Sequence, residues 1–270
     1  MRVAVVPARN EGRHILGVLA SLKHFVDLTL VVDDASEDET DEIAIGSGCV
    51  VIRNESHAGY GASIRKGLEW CWKNGVSVVV TIDGDGQHKG EWIEKGILLL
   101  EDGADAVLAN RFSSLEGVPQ TKLLSNTFAW SCVKKILRKP PACRDVSCGF
   151  RIYGRRSLVP TLETLDKVTS GYAFTQATCT ELHRTGLRLA VLNVPAIYPE
   201  NVQGTAVTEL RDFLLWLVQC TPLHPEAGGW LEDLESGARL TLEFDDWETE
   251  DRLIRAFATR VDGFVRFSET

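Results

Sequence analysis

The strongest constraint on this chain is Val78-Val79-Val80-Thr81-Ile82-Asp83-Gly84-Asp85-Gly86-Gln87-His88, an unbroken apolar run that stops on two carboxylates, two glycines, an amide and an imidazole. Apolar residues without polar alternation predict a strand covered on both faces, as in a parallel sheet. In open α/β sheets, ligands bind outside the carboxyl ends of such strands, so chemistry is expected at these acids. If the chain stays extended there, Asp83 and Asp85 point to the same side. Carboxylates held that close repel unless a proton or cation lies between them, and a hard divalent ion that also carries phosphate oxygens fits the need. A solvated polar turn is the plainer alternative.

The same pattern recurs. Val3-Ala4-Val5-Val6 runs into Pro7-Ala8-Arg9-Asn10-Glu11-Gly12 and then a helical spacing at Ile15, Val18, Leu19 and Leu22. Leu28–Val32 ends in Asp33-Asp34-Ala35-Ser36-Glu37-Asp38, where Ser36 or Asp38 is placed to cap the next helix. Val50–Asn54 leads to Gly59-Tyr60-Gly61-Ala62 and a helix from Ser63 to Trp72, with glycines where backbone approaches something closely. Repeated strand, loop and helix units predict an α/β fold with a mainly parallel sheet sandwiched by helices.

In order along the chain, Val6-Pro7-Ala8-Arg9-Asn10-Glu11, Val32-Asp33-Asp34-Ala35-Ser36, Asp83-Gly84-Asp85-Gly86-Gln87-His88, Asn110-Arg111-Phe112 and Asp145-Val146-Ser147-Cys148-Gly149-Phe150-Arg151 resemble glycosyltransferase family 2. The resemblance is greatest to the branch of dolichyl-phosphate mannosyltransferases and polyprenyl-phosphate sugar transferases, and spans roughly residues 3 to 200. It implies a Rossmann-like GT-A fold, an NDP-sugar donor such as GDP-mannose or a UDP-hexose, Mg²⁺ or Mn²⁺, and inversion at the anomeric carbon. It also implies a nucleotide-sugar pocket formed by Pro7, Arg9, Asn10, Glu11, Asp33, Asp34, Ser36, Gly61, Asp83 and Gly84, with Asp83, Asp85 and Gln87 on the metal. The family commonly has an aromatic where Arg9 stands; a guanidinium stacks on a base as well but adds charge. The alternative for Asp33 is a structural acid at a helix start.

Asp145, Arg111 and Arg151 are the candidates on the acceptor side. A sugar hydroxyl needs a general base, for which Asp145 is the candidate. A lipid phosphate is already anionic and needs cations, which Arg111, Lys122 and Arg151 supply, unless Arg151 is simply paired with Asp145. Branch resemblance favours a polyprenyl phosphate acceptor, with a hydroxyl-bearing soluble sugar or metabolite as the alternative. Beyond residue 168, Gly171-Tyr172-Ala173-Phe174 matches the family's aromatic turn, but Ala177 replaces its acid, and Asn201 and Val207 stand where a basic signature is expected. These losses motivate a further alternative, a catalytically reduced nucleotide-sugar-binding subunit.

The expected organisation is a GT-A domain over 1–222, divided near residue 110 into nucleotide-sugar and acceptor halves, and an acidic appendage over 223–270. Leu210–Cys220 reads as an apolar helix, either buried or lying in a membrane plane, too short to span a bilayer. From His224 onward 12 acidic residues face 5 basic ones, most of the chain's net −9. A β-α-β module is expected there, as a sheet extension, homodimer contact or cover. Its charge disfavours nucleic acid and anionic membranes. A first strand within three residues of Met1 and no transmembrane-length run suggest the cytoplasm, with peripheral membrane contact if the acceptor is a lipid. Seven scattered cysteines without metal spacing suggest reduced core thiols.

Overall fold

The computed structural model describes residues 1–114, 118–166 and 173–198. The expected helix at Leu210–Cys220, the positions of Asn201 and Val207, and the appendage lie outside the described residues, as do Gly171 and Tyr172. Among the described residues, seven strands and seven α-helices follow in the order β1 (Arg2–Ala8), α1 (Ile15–Leu22), β2 (Leu28–Asp33), α2 (Thr40–Gly46), β3 (Val50–Arg53), α3 (Tyr60–Lys73), β4 (Val78–Thr81), α4 (Glu91–Glu101), β5 (Ala106–Asn110), α5 (Gln120–Leu137), β6 (Arg151–Gly154), α6 (Arg155–Leu165), α7 (Ala173–Arg184) and β7 (Leu189–Asn193). They form one sheet in the order β3-β2-β1-β4-β6-β5-β7. β6 alone runs antiparallel, to both β4 and β5.

Alternation within each strand divides the core into two layers. Val3 and Val5 of β1 face the layer that contains α3, α5, α6 and α7, while Ala4 and Val6 face the layer of α1, α2 and α4. The spacing Ile15, Val18, Leu19, Leu22 puts one face of α1 on the sheet. On the other side α3 approaches β1 so closely that a Cβ at Gly67 would lie 2.3 Å from Val5 Cγ1. That is well inside van der Waals contact, so the helix reaches this depth only with glycine there.

From β1 the chain winds outward to β2 and β3 on one side, then returns to β4 on the other. This reversal is the topological switch point of an open α/β sheet, and it opens a crevice at the carboxyl ends of β1, β2 and β4. The segments after those three strands are Arg9–Glu11, Asp34–Asp38 and Asp83–Gln87.

No helix among the described residues is long and apolar enough to cross a membrane. The described cysteines, Cys49, Cys71, Cys143, Cys148 and Cys179, are free, and all but the half-buried Cys49 are buried.

Candidate active site

The first two loops are laced together by side chains that take up backbone N–H groups. Asn10 N donates to Ser36 Oγ (3.0 Å), Glu11 N to Thr40 Oγ1 (2.9 Å) and Gly12 N to Asp38 Oδ2 (2.9 Å). In return Glu37 N donates to Asn10 Oδ1 (2.8 Å). Asn10 adopts φ 55°, a conformation asparagine tolerates better than most residues. Asp33 is fully buried and accepts from Ser36 N and Ser36 Oγ, with Arg53 Nη1 at 3.1 Å. Asn10, Ser36 and Asp33 are thus hydrogen-bonded within the loops themselves, with Ser36 and Asp33 buried and Asn10 exposed. Asp38, not Ser36, lies at the start of α2, accepting from Thr40 N (3.1 Å).

Asp34 has a different environment. Its oxygens accept from Asn54 Nδ2, Ala58 N and Gly59 N and meet His57 Nδ1, each at 2.8 Å. Burial pushes this carboxyl up, but those four hydrogen bonds outweigh it and hold the group below its ordinary value. The loop 54–59 is folded around this one anion. Arg9 is exposed and Glu11 half-buried at the rim, while Gly61 lies buried in the first turn of α3.

After β4 the chain does not stay extended through Asp83 and Asp85, as the sequence pattern suggested, but turns at Gly84 and Asp85, with Gly86 at φ 79°. Gly84 sits against Pro7, where a Cβ would lie 3.4 Å from the Pro7 carbonyl oxygen. Both carboxylates are half-buried. Asp83 Oδ1 accepts from Tyr60 Oη (2.7 Å), and Asp85 accepts from Gln87 N (3.0 Å) and Gln87 Nε2 (2.7 Å). Gln87 is therefore a brace for Asp85. Burial, then repulsion from Asp85, pushes Asp83 up to about 7, and burial raises Asp85 as well. Glu11 is raised mainly by burial, with the Asp85 charge adding to it. Gly149 borders the pair from the opposite side. A Cβ there would lie 2.3 Å from Tyr60 Oη and 2.7 Å from Asp83 Oδ2, so only glycine leaves room for this hydrogen bond.

The donor set suits a hard divalent cation. Two carboxylates whose negative charge is opposed by burial and by one another are relieved by a positive ion between them. Among the described residues no group of three His, Cys, Asp or Glu side chains could hold a metal, so a cation here would rely on ligands beyond these side chains.

Asp145 is almost fully buried and forms a two-point ion pair with Arg111: Nε to Oδ2 at 2.6 Å and Nη2 to Oδ1 at 3.1 Å. Arg111 N (3.2 Å) and Ser147 Oγ (3.1 Å) donate to the same carboxylate. Burial pushes Asp145 up, yet the Arg111 charge and these hydrogen bonds win and hold it below the ordinary carboxylate value. The Arg111 charge also partly offsets the repulsion at Asp83 and Asp85. Nη1 of Arg111 has no hydrogen-bond partner among the described residues.

Arg151 does not pair with Asp145, and it does not line the crevice. It is buried, with Nε on Cys148 O (3.1 Å), Nη1 on Thr178 Oγ1 and Nη2 on Thr175 O (2.6 Å) and Val146 O (3.4 Å), over the Phe174 ring. Its expected role toward an anionic substrate is corrected to a structural one, joining the loop before β6 to α7. Lys122 lies on α5. His88 is an interior residue near Phe150 and Trp92, and burial, followed by the Arg111 charge, lowers it to about 3, so it is neutral. Tyr60, His57 and Asn54 were not singled out from sequence. Their one signal was the Gly59-Tyr60-Gly61 turn, which marks close backbone approach without naming what is approached.

The family model for glycosyl transferase family 2 matches residues 3–159, more than half of the chain. An uncharacterized protein of Methanocaldococcus jannaschii is 31% identical, covering 77% of this chain and 93% of that protein. The polyprenol monophosphomannose synthase of Mycolicibacterium smegmatis is 26% identical, over 76% and 79%. Among solved structures, glucosyl-3-phosphoglycerate synthase from Mycobacterium tuberculosis, in complex with Mn²⁺, UDP and glucosyl-3-phosphoglycerate, is similar with a TM-score of 0.63 at 21% identity, covering 82% and 80%. Mannosyl-3-phosphoglycerate synthase from Rubrobacter xylanophilus gives 0.64 at 19%, covering 85% and 75%. At these identities the structural likeness shows the fold.

Proposed function

The chain belongs to glycosyl transferase family 2 and has the GT-A fold, and from that premise we propose that it transfers a sugar from a nucleoside diphosphate donor to the phosphate of a polyprenyl phosphate, with inversion. The observation that carries the choice of acceptor is the Asp145–Arg111 pair. A carboxylate held below its ordinary value by a guanidinium is a weak base, poorly suited to deprotonate a sugar hydroxyl. A phosphate oxygen is anionic near neutral pH and attacks without a base. The naming of a similar protein as a polyprenol monophosphomannose synthase supports the same acceptor class.

In this reading Asp34 and the rim residues Arg9 and Glu11 receive the base and ribose. Asp83 and Asp85 hold Mg²⁺ or Mn²⁺, which when bound neutralises charge building on the departing diphosphate. Arg111, kept in place by Asp145, turns its remaining nitrogen toward phosphate oxygen; guanidinium and phosphate match in geometry and charge. The acceptor oxygen forms a bond to the anomeric carbon as the bond to the diphosphate oxygen breaks, and the electron pair leaves with the nucleotide. No proton moves in that step.

The test is a product assay with GDP-mannose, UDP-glucose and UDP-GlcNAc, each offered a polyprenyl phosphate or a panel of soluble sugars and phosphoglycerates. A lipid-linked sugar with nucleotide release is expected. Transfer to a soluble hydroxyl alone would overturn the acceptor, and nucleotide binding without any turnover would point to the reduced subunit.

A further inference from the structure

Resting on the cation reading of Asp83 and Asp85, we propose that Tyr60 is the positioning residue of that site: its hydroxyl fixes Asp83 Oδ1 and so presents the other carboxylate oxygen to the ion. The hydroxyl donates to Oδ1 at 2.7 Å, and among the described residues no donor is hydrogen-bonded to Oδ2. A carboxylate with one oxygen anchored keeps its remaining lone pairs in a fixed direction; a free one rotates about χ2.

Tyr60 is itself held from three sides. Its backbone follows Ala58 and Gly59, whose N–H groups are both spent on Asp34. Its ring lies tilted on Phe174, with centroids 5.8 Å apart, at the start of α7. Its hydroxyl fills the space left by the missing side chain of Gly149. A short strap from His57 to Tyr60 thus joins Asp34 on the nucleotide side to Asp83 on the cation side, and rests on a helix of the acceptor half. A tyrosine that served only to pack would need no hydroxyl at this position, and phenylalanine would make the same ring contact.

Tyr60→Phe removes the hydroxyl and keeps the ring. Mn²⁺ is titrated into the nucleotide-free full chain by electron paramagnetic resonance, alongside thermal unfolding without metal. The expected result is Mn²⁺ affinity lowered about tenfold, as for loss of an outer partner of a metal ligand, with an unfolding temperature close to wild type. Gly149→Ala, which crowds the same hydroxyl and carboxylate from the other side, gives an independent variant with at least as large a loss. Wild-type affinity in both variants overturns the role of Tyr60. In Tyr60→Phe, a fall in affinity accompanied by an equal fall in stability overturns it too, since it would mark general loosening of the strap. If the wild type itself has no Mn²⁺ site that Asp85→Asn removes, the failure lies with the cation reading.

Discussion

Asp145 and the pair Asp83–Asp85 lie close enough together for one guanidinium, that of Arg111, to act on all three carboxylates, yet they are built in opposite ways. Asp145 is buried with a two-point cationic partner and two further donors, and is held below its ordinary value. Asp83 and Asp85 are also pushed up by burial, with a tyrosine hydroxyl and a glutamine for support, and both are raised. Burial has the same sign at all three; the difference is whether the chain supplies the counter-charge or leaves it to a ligand. Asp145 has its counter-charge within the chain, whereas the Asp83–Asp85 pair is under-compensated, which is the basis for the proposed cation there.

Removing one partner of each arrangement should therefore act with opposite sign on stability. The largest effect is expected at Asp145→Ala, which strands a buried Arg111 and should cost about 3–5 kcal/mol, read as a drop in the urea midpoint. Gly149→Ala comes next, at about 1–3 kcal/mol in the same assay, because a Cβ must displace either the Tyr60 hydroxyl or Asp83. Asp85→Asn should leave metal-free stability unchanged or raise it by about 1 kcal/mol, since it removes one of two repelling charges, while abolishing any Mn²⁺-dependent stabilisation.

A pH series sharpens the contrast. Because folding lowers the Asp145 value, its contribution is fully present above the ordinary value of 3.8 and is lost as pH falls through the lower folded value. Wild-type stability should fall more steeply below about pH 4 than that of Asp145→Asn, by chemical denaturation at each pH. The smallest effect is expected at His57→Ala. Its pair with Asp34 has a 55% exposed histidine side chain, and Asp34 keeps three other donors, so the loss should stay below about 0.5 kcal/mol by thermal unfolding.

Much of this was legible in the sequence because it is local. The apolar runs ending in acids gave β1, β2 and β4 and their loops, and Ile15, Val18, Leu19 and Leu22 gave the buried face of α1. What was not legible depends on partners distant in the chain. Arg111 and Arg151 look alike in sequence, but Arg111 leaves β5 beside Asp145, while Arg151 opens the four-residue β6 and turns into the core toward Thr175 and Thr178. The insertion of β6 as an antiparallel strand between β4 and β5 leaves no periodicity signal in four residues. The turn at Gly84 and Asp85 overrode the extended reading, and the grip of Tyr60 on Asp83 spans 23 residues.

The most direct test compares unfolding temperatures of wild type, Asp85→Asn and Asp145→Asn, each alone and with Mn²⁺ plus GDP-mannose, UDP-glucose or UDP-GlcNAc. The account predicts that Asp145→Asn unfolds well below wild type without ligand. Asp85→Asn should match or exceed wild type there, and only chains that retain Asp85 should gain stability from metal with one nucleotide series. Equal destabilisation by both substitutions, or a metal response that survives Asp85→Asn, would contradict it.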